Sequence, residues 1–223
     1  MSDAPRATLW PPSFSAAIFD FDGTLAETWH LWRRVDEIFF ATRGLPFDES
    51  ASVTLATLGF AAGARWCVER YRLREEVADI VGEWNRLGAA LYENEVRLRP
   101  GAEAYVRALR ARGVRCALAT TNDRHVLDAM RHVDVGALFE AVVCGTEVAR
   151  GKDHPDIYLE AARRLGAAPS DCVVFEDILP GVLSAARAGM STVAVGSADP
   201  RQPVTELRRA ADLWIGGWEG IIG

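Results

Sequence analysis

Asp20 and Asp22 stand two residues apart behind a short apolar run, Ala16-Ala17-Ile18-Phe19, and Gly23-Thr24 follows them. The run has the composition of a buried strand, on which side chains at i and i+2 share a face. Gly-Thr ends it. Two carboxylates are thus concentrated at the carboxyl end of a strand, where open α/β sheets bind their ligands. Glu176 and Asp177 repeat the situation behind Cys172-Val173-Val174-Phe175. Negative charge at this density needs a cation or protons beside it. Taken singly, Asp22-Gly23 also reads as a hairpin turn and Glu176-Asp177 as a helix cap. No partner strand follows the first pair, which disfavours the turn.

Positive charge is distributed unevenly by type. Among 25 basic residues Lys152 is the single lysine, in Arg150-Gly151-Lys152-Asp153-His154-Pro155-Asp156. A lysine that persists in such a background invites a chemical reason, against the ordinary reading of an exposed surface lysine. A nucleotide-binding P-loop is excluded: Gly145 stands one residue too far from Gly151-Lys152, and Asp153 follows where Ser or Thr belongs. Thr120-Thr121-Asn122 closes another apolar run, and its backbone N–H groups precede a predicted helix, a placement that suits an anion. The same three residues also read as a turn and helix cap.

The elements that position these groups alternate. From Pro100 onward the pattern predicts helices over 101–112, 123–131, 156–165 and 181–188, with buried strands over 114–119, 139–144, 172–175 and 192–195. With the strand at 16–20 that gives about five parallel strands covered on both faces, a doubly wound α/β sheet of Rossmann-like type. Residues 27–96 break the rhythm with helical patterns near 28–43, 50–58, 62–71 and 73–93. The expected organisation is therefore a core of residues 1–26 and 97–223 with an all-helical insertion at 27–96. The first twelve or so residues read as loosely attached.

Bulk properties set limits. The chain has 223 residues, 49% hydrophobic and 25% charged, with a net charge of −6. That is ordinary for a soluble globular protein, and no basic stretch invites nucleic acid. No signal-peptide pattern or membrane-length apolar run is visible, so a cytoplasmic location is expected. Cys67, Cys116, Cys144 and Cys172 are widely spaced, and three lie in predicted strands, which favours buried, reduced thiols.

Taken in chain order, the four motifs, spanning about Ser15 to Val195, resemble the haloacid dehalogenase-like superfamily. The resemblance is to its Mg-dependent phosphatases and phosphoglucomutase-like members, which carry a helical cap after the first motif. It implies Asp20 as the nucleophile that becomes an aspartyl-phosphate, and Asp22 as the acid that protonates the leaving oxygen and then activates water. It implies Thr120, with Thr121 as the alternative, and Lys152 on the phosphoryl oxygens. It also implies Mg²⁺ held by Asp20, the backbone carbonyl of Asp22, Asp177 and Glu176, the last directly or through water. The implied substrate is a small phosphorylated metabolite.

Departures narrow the choice within the superfamily. Its dehalogenases lack the second acid of the first motif, and its phosphonate-cleaving members use a cap lysine that is absent here. The sugar-phosphate mutases share all four motifs but carry a histidine on the first cap helix, where this chain has Trp32. Their phosphate-gripping cap arginine has its nearest candidate in Arg65, which reads as a solvated helix position. His30 reads as a surface or packing residue. The expected activity is therefore a phosphatase, with a mutase and a non-catalytic phosphate-binding protein as alternatives. Trp29, Trp32, Trp66 and Trp84 are expected to pack the core of the cap, with a leaving-group pocket as the other possibility.

Overall fold

The structure is a computed structural model that describes residues 8–222. Six strands form one parallel sheet: β1 (Ala16–Phe19), β2 (Arg115–Thr120), β3 (Ala141–Cys144), β4 (Cys172–Glu176), β5 (Ser191–Val195) and β6 (Leu213–Ile215), in the order β3-β2-β1-β4-β5-β6. β1 therefore lies centrally, with Phe19 in register with Leu118 of β2 on one side and Phe175 of β4 on the other. The rings of Phe19 and Phe175 stack with centroids 4.6 Å apart.

Helices cover both faces, and this is why the strands read as near-continuous apolar runs. On one face, Phe19 and Phe175 pack with Tyr105 of α5 (Ala102–Ala111) and with Trp218. On the other, Ile18 and Val174 pack against Ile157 and Tyr158 of α8 (Asp156–Leu165). The remaining core helices are α6 (Arg124–Asp128), α7 (Val135–Leu138), α9 (Leu179–Arg187) and α10 (Val204–Ala210). Between β1 and α5 lie α1 (Trp29–Thr42), α2 (Glu49–Leu58), α3 (Phe60–Tyr71) and α4 (Val77–Glu95). These four helices share their own apolar cluster, centred on Val35, Phe39, Phe40, Cys67, Ile80 and Trp84.

Several boundaries differ from the sequence pattern, for identifiable reasons. The helix expected over 73–93 starts at Val77, after Glu76 in extended conformation and a bend at Glu75, whose carboxylate Arg43 binds (Nη2 to Oε1, 2.5 Å). The helix expected over 123–131 stops at Asp128, and the N–H of Arg131 turns to the carbonyl of Glu93 in α4 at 3.2 Å. The helix expected at 181 starts at Leu179, because Pro180 needs no N–H partner in a first turn. β6 adds a sixth strand to the five expected. Of the segment expected to be loosely attached, residues 1–7 lie outside the described residues, but Leu9 and Trp10 pack on the core. Tyr105 donates to the Leu9 carbonyl at 3.2 Å, and the Arg112 guanidinium lies 4.5 Å from the Trp10 ring centre. All four cysteines are buried free thiols. Among the described residues no helix is long and apolar enough to cross a membrane.

Candidate active site

The strand order reverses direction between β1 and β4, and the crevice beyond their carboxyl ends is where such sheets bind ligands. Asp20 follows β1 directly, and its N–H donates to the Phe175 carbonyl at 3.0 Å, so the ladder itself fixes the position of that residue. Glu176 ends β4 and Asp177 follows it. Lys152 comes from the loop between β3 and α8, held where the Ser184 hydroxyl of α9 donates to its carbonyl at 2.7 Å. All four side chains are buried: Asp20 is 4% exposed, Lys152 5%, Glu176 0% and Asp177 7%. The Lys152 ammonium donates to Asp20 Oδ1 and to Glu176 Oε1, the latter at 2.5 Å.

Four donors hold Glu176. Besides Lys152, its Oε1 accepts the Tyr158 hydroxyl at 2.7 Å, and Oε2 accepts the N–H groups of Asp177 (3.1 Å) and Ile178 (3.2 Å). Asp177 differs, because its Oδ1 is buried without a partner. Asp20, Glu176 and Asp177 each present an oxygen within 4.8 Å of the others. Three carboxylates facing one ammonium leave two negative charges uncompensated when all are ionised, and oxygen donors of this type suit a hard divalent cation. The residues present therefore fit a divalent metal, with the orphaned Asp177 oxygen as the open donor. Two glycines make room for the cluster. Gly23, at φ +78°, has no Cβ to collide with the Asp177 carboxylate, and a Cβ at Gly181 would sit 2.6 Å from Glu176 Cδ.

The electrostatics follow from this crowding. Burial, assisted by Glu176 and Asp22 and opposed by Lys152, pushes Asp20 up to about 7. Burial and then the charges of Asp20 and Glu176 push Asp177 well above the usual carboxylate range. Burial works against the Lys152 ammonium, but the two carboxylates beside it together prevail and its pKa rises. The cluster holds protons tightly, as it would hold any cation.

Asp22 is held by a separate set of donors that the sequence pattern does not reveal. Its Oδ1 accepts the Thr28 hydroxyl at 2.5 Å, the Trp32 indole N–H at 3.3 Å and the Tyr92 hydroxyl; its Oδ2 accepts the Asn122 side-chain amide at 2.7 Å. Tyr92 in turn accepts the Trp32 N–H at 2.7 Å. Burial raises the Asp22 pKa, and the donors from Thr28, Tyr92 and Trp32 partly oppose that rise. Removing one donor therefore moves the pKa further up. With Asp22 as the acid that the resemblance implies, Tyr92→Phe is expected to shift the alkaline limb of the pH profile of kcat/KM to higher pH, because Asp22 then keeps its proton longer. An unmoved limb would remove Tyr92 from the control of Asp22.

The two threonines are placed differently. Thr120 is fully buried, and its hydroxyl oxygen accepts the Asn122 N–H at 3.1 Å. Thr121 and Asn122, together with Asp20, Asp22, Lys152 and Asp177, line a cavity of about 180 Å³ between the carboxyl ends of the strands and the inserted helices. Trp29, Trp32 and Trp84 also line it, so three of the four tryptophans expected to pack the insertion reach the cavity wall. Trp66 packs edge-on against Tyr71 instead, with centroids 5.8 Å apart. Arg65 and His30 are exposed and do not line the cavity.

Comparison with known proteins gives this arrangement a family. Residues 14–189 match the haloacid dehalogenase-like hydrolases. A bifunctional riboflavin kinase/FMN phosphatase of Arabidopsis thaliana is 33% identical over 89% of this chain, which spans about half (52%) of that protein. A probable pseudouridine-5'-phosphatase of Drosophila melanogaster is 36% identical, covering 82% of this chain and 81% of that protein. The crystal structure of CbbY from Rhodobacter sphaeroides in complex with phosphate superposes with a TM-score of 0.78 at 27% identity, over 93% of this chain and 96% of the other. The chain belongs to the haloacid dehalogenase-like hydrolases.

Proposed function

We propose that this hydrolase of phosphoric monoesters works through an aspartyl-phosphate on Asp20 and depends on Mg²⁺. The convergence of Asp20, Lys152, Glu176 and Asp177 at one crevice carries the reading. Asp20 attacks phosphorus while Asp22 gives its proton to the leaving oxygen; Asp22 then takes a proton from the water that cleaves the acyl phosphate. Lys152 holds the Asp20 carboxylate in place and offsets the charge of the phosphoryl oxygens, helped by Thr120 and Thr121. Tyr158 and the N–H groups of Asp177 and Ile178 fix Glu176, which in turn fixes Lys152. Asp20, Asp177 and the Asp22 carbonyl, with Glu176, would hold Mg²⁺, which when bound draws negative charge from the phosphoryl group. Residues 27–96 form a cap domain that excludes water from the cavity. Trp32 favours hydrolysis over phosphate shuttling between sugar hydroxyls, because at the place of the mutase histidine it offers an N–H and no titratable nitrogen.

The test is metal removal. Enzyme freed of divalent ions is expected to lose hydrolysis of p-nitrophenyl phosphate and regain it with Mg²⁺, and Asp177→Asn to raise the half-saturating Mg²⁺ concentration by about tenfold or more. Full activity without any divalent ion would defeat the reading.

A further inference from the structure

The inserted helices bring a second carboxylate group to the cavity, apart from the acids at the strand ends. Trp29, Trp32, Arg33 and Asp36 recur at helical spacing on one face of α1, and all four line the cavity. Asp36 Oδ2 accepts the Ser52 hydroxyl at 2.9 Å. No described residue donates to Asp36 Oδ1, and that oxygen is open to solvent, so it can meet a ligand. Ser52 is 2% exposed and is fixed from the core side, where Arg201 Nη1 donates to its hydroxyl oxygen at 2.9 Å. Arg201 and Asp199 lie in the loop after β5, and Arg201 grips Asp199 with Nε and Nη2 at 2.8 and 2.7 Å. Asp36 is therefore held through a chain of contacts that crosses from the core to the insertion.

The charges along this chain do not balance. Asp36 and Asp199 share the Arg201 guanidinium, and Asp199 has the direct contacts. Arg33, the other cation of this wall, donates from Nε to Glu37 at 3.0 Å. Negative charge is left on Asp36. Burial pushes its pKa up to about 7, and the Ser52 hydroxyl and then the charge of Arg201 oppose the rise without cancelling it. A carboxylate with an open oxygen and an uncompensated charge suits a cation. A hydroxyl would satisfy the oxygen and leave the charge. A carboxylate or a second phosphate would add to it. Trp32, one turn before Asp36 on the same face, is no obstacle, because aromatic rings attract cations.

We propose that the substrate is the phosphate ester of an amino alcohol, and that Asp36 binds its ammonium group at the end remote from phosphorus. Asp36 is then a specificity-determining residue, positioned by Ser52 and Arg201. The proposal deepens the phosphatase reading above and rests on it for turnover. Phosphates of straight-chain alcohols of graded length test it, each ending in an ammonium, a hydroxyl, a methyl or a carboxylate group. At about pH 8 the amine is charged, with a pKa of about 10, and Asp36 is ionised. At one length or more the amino ester is expected to show a KM about tenfold or more below its hydroxyl and methyl counterparts, with the carboxylate ester highest. Asp36→Asn keeps an acceptor and loses the charge, and should bring the amino and hydroxyl esters within about twofold of each other. Should that variant fail to fold, the order of KM values on the parent enzyme still decides. A hydroxyl ester at or below the amino ester at every length, or an amino preference that survives Asp36→Asn, overturns the proposal. Turnover of the whole series would then leave the phosphatase standing. Calorimetric binding of the same esters to Asp20→Asn separates the two readings from the other side. An amino preference in affinity without any turnover by the parent enzyme would defeat the phosphatase and leave the ammonium site standing.

Discussion

Asp20→Asn is expected to lower turnover by about 10⁴-fold or more, as loss of a covalent nucleophile does elsewhere, without loss of stability. The second half of the expectation comes from the site's electrostatics. Burial pushes Asp20 up to about 7, so the folded protein keeps a proton there that the unfolded chain releases near pH 4. Where the unfolded state binds fewer protons, stability falls as pH rises. The parent protein therefore loses stability on this account between about pH 4 and 7, and the asparagine variant does not. Urea unfolding of both proteins in chelator at pH 4.5 and 7.5 measures the difference, and the variant's advantage should grow toward the higher pH. A variant that loses activity and unfolds more readily at pH 7.5 would assign the lost turnover to misfolding.

Lys152→Met is expected to have the opposite effect on stability. The ammonium is the cation that faces both Asp20 and Glu176, and all three groups are nearly inaccessible to water. Breaking a buried ion pair by removing one partner costs about 3–5 kcal/mol, because the other charge is left uncompensated. The raised pKa of Lys152 keeps its contribution complete throughout the neutral range and confines its loss to strongly alkaline pH. Destabilisation of the methionine variant should be largest at neutral pH without metal. It should shrink at acid pH, where the carboxylates protonate, and shrink again on addition of Mg²⁺, which binds the folded cluster. Turnover should fall by about 10²–10³-fold. A loss below about 1 kcal/mol at pH 7.5 in chelator would mean that the cluster is compensated in some other way.

The contrast between what the sequence makes legible and what it hides is chemical. Groups at strand ends announce themselves, because acids placed directly behind a buried apolar run are costly unless a cation or ligand meets them there. Asp20, Asp22, Glu176 and Asp177 are visible for that reason. Lys152 is visible by its rarity. The donors that orient these groups are not. Tyr92 lies 70 residues from Asp22 and Tyr158 lies 18 from Glu176, each on a helix where an aromatic residue looks like ordinary core. Only the close approaches leave a trace, in Gly23 and Gly181, where side chains would displace the acids. β6 escapes notice because three half-buried residues at a sheet edge carry little pattern. The tryptophans are ambiguous because the same rings serve two surfaces. Trp84 packs on Phe39 at 5.2 Å within the insertion and also faces the cavity.

The central place of β1 has a consequence for how the protein is made. The strand that carries Asp20 is synthesised first, but its neighbours are β2 and β4, and the second of these begins at Cys172. The loop that follows Asp20 is tied later still, when Trp218 donates to the Thr24 carbonyl at 2.9 Å. During translation Asp20 therefore waits, with one edge of its strand unpaired, until β4 has left the ribosome. Such long-range pairing is slow, and the exposed edge is open to wrong partners in the meantime. A growing chain held before Cys172 would contain Asp20, Asp22, Lys152 and the whole helical insertion, and would still lack Glu176 and Asp177.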